Sequence, residues 1–239
     1  TLESRGLGDV YKRQGNNLIT VSADELLDCG AILPPTVNVH TVDTVRTREE
    51  VADIDAETVL RVIEADDAER VLVSAPSARI INAMMAFTDL FRDLRQADYN
   101  VMTITSKHGA IINGKKVSRT SFFETLDTFS ATGQKFVLFH YSILSEGINV
   151  SGLTNVVLLR NLSTVEMAQT IGRVIRLDTQ DRNNISNGTL RPRAYHNYNK
   201  PTGFISIPVY NNYGKATAKR VQRTVDTIFK HGKPATAWI

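Results

Sequence analysis

Short, nearly continuous apolar runs recur along this chain, separated by segments with helical periodicity. They are residues 70–75 (Arg-Val-Leu-Val-Ser-Ala), 101–105 (Val-Met-Thr-Ile-Thr), 135–141 and 155–160. Runs this short, with little polar alternation, read as strands buried on both faces, the pattern of parallel sheets. Between them, Ile80, Met84, Phe87, Phe91 and Leu94 repeat at helical spacing, which predicts one long helix over 77–96. Phe122, Phe123, Leu126 and Phe129 do the same over 119–131. Strands alternating with helices predict an α/β fold, a parallel sheet with helices on both faces. Ligands of such sheets gather at the carboxyl ends of the strands. Here those ends are the segments after Ala75, Thr105, Tyr141 and Arg160.

The flanks are read the same way. Ser22 and Glu25 form a capping box for a short helix that stops at Gly30. After Pro34-Pro35, residues 36–42 read as a strand. Asp55 is placed to cap a helix running to about Asp66, with Val59, Leu60 and Ile63 inward. Residues 107–116, with Gly109 and Gly114, read as a polar loop; 203–210 reads as a strand and 216–231 as a basic helix. The chain begins with Thr1, and residues 4–14 resemble translated adapter sequence, so 1–14 are set aside and the chain is expected to be a fragment of a longer gene. Cys29 is the only cysteine, which suits a reducing, cytoplasmic setting. No apolar run is long enough for a membrane span. The five histidines are scattered without ligand-like spacing, so no metal site is expected.

The net charge of +3 hides an asymmetry. Residues 182–239 hold ten Lys and Arg against one acid, Asp226. A segment this basic fits contact with a polyanion, with Lys215, Lys219, Arg220 and Arg223 as candidate nucleic-acid contacts. It could instead keep a surface soluble or face an acidic partner domain. Tyr195, Tyr198, Tyr210 and Tyr213 could stack on bases or pack this segment onto the rest of the chain.

The octet 169–176, Gln-Thr-Ile-Gly-Arg-Val-Ile-Arg, carries the sharpest chemistry. On a helix, Gln169, Gly172, Arg173 and Arg176 share one face, and Met167, Ala168, Ile171, Val174 and Ile175 the other. Arginine offers a fixed fork of donors suited to phosphate oxygens. A glycine inside a helix costs about 1 kcal/mol relative to alanine, so the space at Gly172 should serve something. A second candidate is the loop 142–149, where Gly147 allows close backbone approach beside Ser142, Ser145 and Asn149. Ser74, Ser77, Thr105 and Ser106 put further hydroxyls at strand ends, where they can meet a phosphate backbone or cap a helix.

The order strand, Ser145-Glu-Gly-Ile-Asn149 loop, strand, capped helix with Gln169-x-x-Gly172-Arg173-x-x-Arg176 resembles the C-terminal RecA-like domain of superfamily 2 helicases and translocases. The loop is similar to their motif V and the octet to their motif VI; the resemblance is clear over about 70–177 and looser from near 18. It implies a RecA-like fold and ATP-dependent movement on DNA or RNA, with single strand gripped during translocation. Arg176 would be the arginine finger and Arg173 its support on the phosphates. Gln169, Gly172, Gly147 and Asn149 would lie by the nucleotide, although most relatives carry aspartate where Asn149 stands. Ser142 would touch a nucleic-acid phosphate, as would groups near Ser74, Thr105 and Ser106. ATP and Mg2+ would be held mainly by a first RecA-like domain, since this chain has neither a phosphate-binding loop nor an acidic tetrapeptide for magnesium. The chain alone should therefore not hydrolyse ATP.

The implied organisation is 1–14 non-native, 15–45 the inter-domain join and first strand, 46–181 the second RecA-like domain, and 182–239 a basic extension. The alternatives are a non-catalytic nucleic-acid-binding or scaffold module of the same fold, and a basic α/β domain for a small phosphorylated metabolite.

Overall fold

The computed structural model of the chain describes residues 21–141, 150 and 152–230. Its centre is an eight-stranded sheet in the order β1-β8-β7-β2-β6-β3-β4-β5. The strands are β1 (Pro35–Val42), β2 (Arg70–Ser74), β3 (Asn100–Thr105), β4 (Gly109–Ile112), β5 (Lys115–Val117), β6 (Phe136–His140), β7 (Asn155–Leu158) and β8 (Gly203–Tyr210). From β1 to β3 the neighbours are parallel; β4 and β5 add an antiparallel hairpin at one edge. Every residue of β2, β6 and β7 is buried, as their continuous apolar runs require.

Helices cover both faces. On one side α2 (Val51–Ala65), α3 (Ala78–Phe87) and α4 (Leu90–Gln96) bury Val59, Ile63, Ile81, Met84, Leu90 and Leu94 against Val71, Val73, Val137 and Phe139. On the other, α5 (Arg119–Ala131), α6 (Thr164–Val174) and α8 (Lys215–Val225) bury Phe122, Leu126, Met167, Ile171, Val174 and Val221. Two short helices, α1 (Ala23–Asp28) and α7 (Thr179–Ser186), flank this arrangement. The fold is α/β and RecA-like, with a mostly parallel sheet.

The C-terminal segment supplies an interior strand. β8 lies between β1 and β7, in unbroken register with β1 from Pro35↔Gly203 to Val42↔Tyr210. The sheet is therefore completed only after residue 203, and α8 packs back onto it.

Several elements depart from the sequence reading. The helix expected over 77–96 is two helices, because Thr88 leaves the helical region at φ −115°, ψ 169°. Its hydroxyl donates to the Met84 carbonyl at 2.6 Å and accepts the Leu90 N–H at 3.2 Å, closing one helix and opening the next. The break turns Phe87 outward, to 82% exposure. The loop expected over 107–116 is the β4–β5 hairpin, whose two-residue turn has Asn113 at φ 48° and Gly114 at φ 79°, the left-handed pair such turns need. Asp55 caps nothing. It lies a turn inside α2, fully buried, and takes a two-pronged hydrogen bond from Arg46 and one from the Tyr210 hydroxyl.

Candidate functional site

α6 is built firmly at its start. The Ser163 hydroxyl accepts the Glu166 N–H at 3.2 Å, and the Glu166 carboxylate accepts the Ser163 N–H at 2.9 Å. Arg160 donates to the same carboxylate at 2.8 Å and, with the Ser163 bonds, holds its pKa down at about 2. Met167, Ile171 and Val174 face the core, while Gln169 is exposed. Among the described residues, a Cβ built on Gly172 would meet nothing within 4 Å, so their packing does not demand the glycine.

The end of α6 differs from the uniform polar stripe expected. Arg173 is only 7% exposed, and burial together with the neighbouring Arg176 charge pushes its pKa down. The helix ends at Val174, so Arg176 lies beyond the Ile175 cap and is not on the helix with Gln169 and Gly172. The chain leaves the helix because another segment takes it over. Ile32 and Arg176 pair in an antiparallel bridge, and the Leu33 N–H donates to the Ile175 carbonyl at 2.8 Å. On either side, the Lys200 ammonium donates to the carbonyls of Val174 and Arg176, both at 2.6 Å. The Val174 and Ile175 carbonyls, which a helix end would leave unsatisfied, and the Arg176 carbonyl just beyond are thus all engaged.

The other candidates stand elsewhere. Ser74 is fully buried, and its hydroxyl shares a 3.0 Å hydrogen bond with His140 Nε2 across the carboxyl ends of β2 and β6. Burial and the charges of Arg160 and Arg173 push His140 down to about 3, which leaves the imidazole neutral at ordinary pH. The Ser74 hydroxyl therefore faces the interior. Thr105 is 4% exposed and accepts the His108 N–H at 3.0 Å, while Ser106 next to it is exposed. These residues mark the carboxyl edge of the sheet. Arg176 lies at the opposite edge, next to the segment leading into β1, so the candidates do not converge on the strand carboxyl ends as expected from the fold class. Ser142, Gly147 and Asn149 lie outside the described residues.

α8 starts from Gly214 at φ 101°, where a Cβ would come within 2.4 Å of the Pro208 carbonyl oxygen. Lys215, Lys219, Arg220 and Arg223 are exposed along it, and Arg220 also donates to the Leu162 carbonyl at 2.8 Å. The four tyrosines are engaged within the chain. Tyr195 and Tyr198 meet edge to face at 5.4 Å, Tyr210 bonds Asp55, and the Tyr213 hydroxyl accepts the Asn161 N–H at 3.1 Å. No helix among the described residues is long and apolar enough to cross a membrane.

Lys200 and Asp181 are the residues sequence reasoning missed. Each is almost fully buried, and the Asp181 carboxylate accepts the backbone N–H groups of Asn199 and Lys200 at 3.0 Å each. Their one signal is position: a charged residue just ahead of an apolar strand, and another inside a short polar helix.

The model of the family described as the helicase conserved C-terminal domain matches residues 55–178, more than half of the chain. No curated protein of similar sequence matches. Among solved structures, the chain is similar to a fragment of a protein described as an HsdR subunit of a type I restriction enzyme from Vibrio vulnificus YJ016. The identity is 20% and the TM-score 0.53, over 84% of this chain and 41% of that one. It is also similar to LlaBIII, an ATP-dependent Type ISP restriction-modification enzyme bound to DNA. Here the identity is 13% and the TM-score 0.53, over 90% of this chain and 15% of that one. Both likenesses concern the fold, and the chain spans less than half of either structure.

Proposed function

The chain belongs to the helicase conserved C-terminal domain family, and we propose that it is the second motor domain of an ATP-dependent helicase or translocase acting on DNA or RNA. The observation that carries this reading is the surface around the end of α6. Gln169, the open position at Gly172, buried Arg173 and Arg176 follow one another there, and burial and the Arg176 charge both push the Arg173 pKa down. A polyphosphate is the ligand that suits such a pair, since each fork matches phosphate oxygens. The absent Cβ at Gly172 leaves room for it to approach.

In this reading Arg176 is the arginine finger. It stabilises the charge that develops in phosphoryl transfer, an effect worth about 10³–10⁵ in rate. Arg173 supports it on the phosphates, and Gln169 faces the nucleotide. Gly147 and Asn149 join the nucleotide to the strand-binding surface. The family uses ATP and Mg2+, and both would be held mainly by a first RecA-like domain. Closure of that domain onto α6 would make hydrolysis depend on the relative position of the two, and this chain alone would be inactive. The strand would be gripped from Ser106, Ser142 and the exposed face of α8. A strand needs such a charged track on both motor halves to be moved by their closure.

The test is ATP hydrolysis, with and without DNA or RNA, in a protein that joins this chain to its first motor domain. Loss of strand-stimulated turnover in Arg176→Ala with an unchanged thermal melt supports the reading. Full turnover in that variant overturns it.

A further inference from the structure

We infer that Lys200 is a positioning residue for Arg176, a role that rests on the reading of Arg176 as the finger and lies outside the matched family region. The geometry carries it. Lys200 is 2% exposed, and its ammonium donates to the carbonyls of Val174 and Arg176 at 2.6 Å each. It therefore grips both ends of the three-residue link between the last turn of α6 and the residue proposed to act. The middle carbonyl, of Ile175, is held by the Leu33 N–H.

The lysine itself is fixed from behind. The Asp181 carboxylate accepts the backbone N–H groups of Asn199 and Lys200, and Asp181 is 1% exposed. Just beyond, β8 begins at Gly203, where a Cβ would stand 2.4 Å from the Val174 carbonyl oxygen and 3.1 Å from the Ile175 nitrogen. The start of β8 is thus pressed against the same link. A cation at a helix C-terminus is favoured by the carbonyl dipoles. Even so, placing an ammonium in the interior is expensive, and packing alone would be served by an apolar side chain. What an apolar side chain cannot do is hold the Val174 and Arg176 carbonyls in one fixed relation. A displacement of about 1 Å at a catalytic group can cost about 100-fold in rate, so that relation matters if Arg176 acts across a cleft.

The charge on Lys200 gives the device a pH signature. Burial pushes its pKa down to about 7, with Arg70 from β2 pushing the same way and Asp178 and Asp181 from the α7 region opposing. Above that pH the neutral amine keeps its N–H donors but loses the charge that strengthens them.

The test uses the protein with both motor domains and reads kcat, KM for ATP and the thermal melt. Lys200→Met should lower kcat about 100-fold while KM stays within about threefold. Lys200→Arg, which keeps a cation with several donors, should recover most of that loss. Arg176→Ala with Lys200→Met should be no slower than Arg176→Ala alone, because the lysine acts through the arginine. Wild-type kcat should fall as pH rises past about 7, and Lys200→Arg should lack that limb. A Lys200→Met kcat within threefold of wild type overturns the inference, as does an equal loss in the Arg176→Ala background. Should Lys200→Met fail to fold, the pH limb decides: a limb shared by wild type and Lys200→Arg overturns it. Full turnover in Arg176→Ala would remove the finger reading and this inference together; failure of the Lys200 arms alone leaves the finger reading standing.

Discussion

The hydroxyl of Tyr210 on β8 donates to the buried carboxylate of Asp55 on α2 at 3.0 Å, joining residues 155 positions apart. The same carboxylate receives two hydrogen bonds from Arg46, whose guanidinium lies 5.6 Å from the centre of the Tyr210 ring. Tyr210→Phe keeps the ring and deletes only the hydroxyl. A hydrogen bond to a charged group contributes about 1.5–3 kcal/mol, so urea unfolding of this variant should show a loss in that range. No loss would mean that the C-terminal strand is not locked to α2 through this contact.

Glu166 gives an acid-side prediction. Its carboxyl is held at about 2, below its ordinary range, chiefly by the Arg160 hydrogen bond. A depressed carboxyl contributes stability that is complete above its unfolded value and is lost as pH falls toward the folded one. Between about pH 4.5 and 2 the wild type should therefore lose stability that Glu166→Gln never had. At neutral pH the variant should be weaker by about 1–2 kcal/mol, the scale of one cap and one partly exposed ion pair. Parallel pH profiles of the two proteins would contradict this.

Much of the sheet was legible because the strands are buried on both faces and so carry unbroken apolar runs. The cap at Ser22 was legible because a capping box is local. The β4–β5 hairpin was open to reading from Asn113-Gly114, a two-residue pair suited to a tight turn, but the polar residues around it masked the strands. Strand order was not legible: no pattern in residues 203–210 says that they slide between β1 and β7. Burial of charge was not legible either. Lys200 sits inside because the carbonyls of Val174 and Arg176 meet its ammonium there, and Arg173 is buried at the end of its helix; a helical wheel places neither.

Gly172 separates packing from function. A Cβ there meets nothing among the described residues within 4 Å, so Gly172→Ala should hold or raise the melting temperature, helix propensity favouring alanine by about 1 kcal/mol. If a nucleotide approaches this face, the same variant should lose at least about tenfold in turnover once both motor domains are present. Stable and fully active protein would show that the space serves no ligand.

α8 tests the strand-binding surface. Neutralising Lys215, Lys219 and Arg223 should weaken binding to single-stranded DNA and RNA about equally across sequences. The log–log salt slope should fall by about 0.7 for each phosphate that these side chains no longer neutralise. Arg220 is best changed separately, because it also holds the Leu162 carbonyl and its removal should lower stability. An unchanged slope in the triple variant would reduce α8 to a cover for β8.

Arg176 bears most directly on the proposed role of the chain, and the deciding measurement separates turnover from binding. In the protein with both motor domains, strand-stimulated kcat and the affinity for a non-hydrolysable ATP analogue should be measured for wild type, Arg176→Lys and Arg176→Ala. A finger that acts in the transition state predicts that kcat falls about 10³-fold or more in Arg176→Ala while analogue affinity changes little. Lysine should recover only a small part, since it lacks the planar fork. A kcat within a few-fold of wild type, with the protein folded and the analogue bound, would contradict that role.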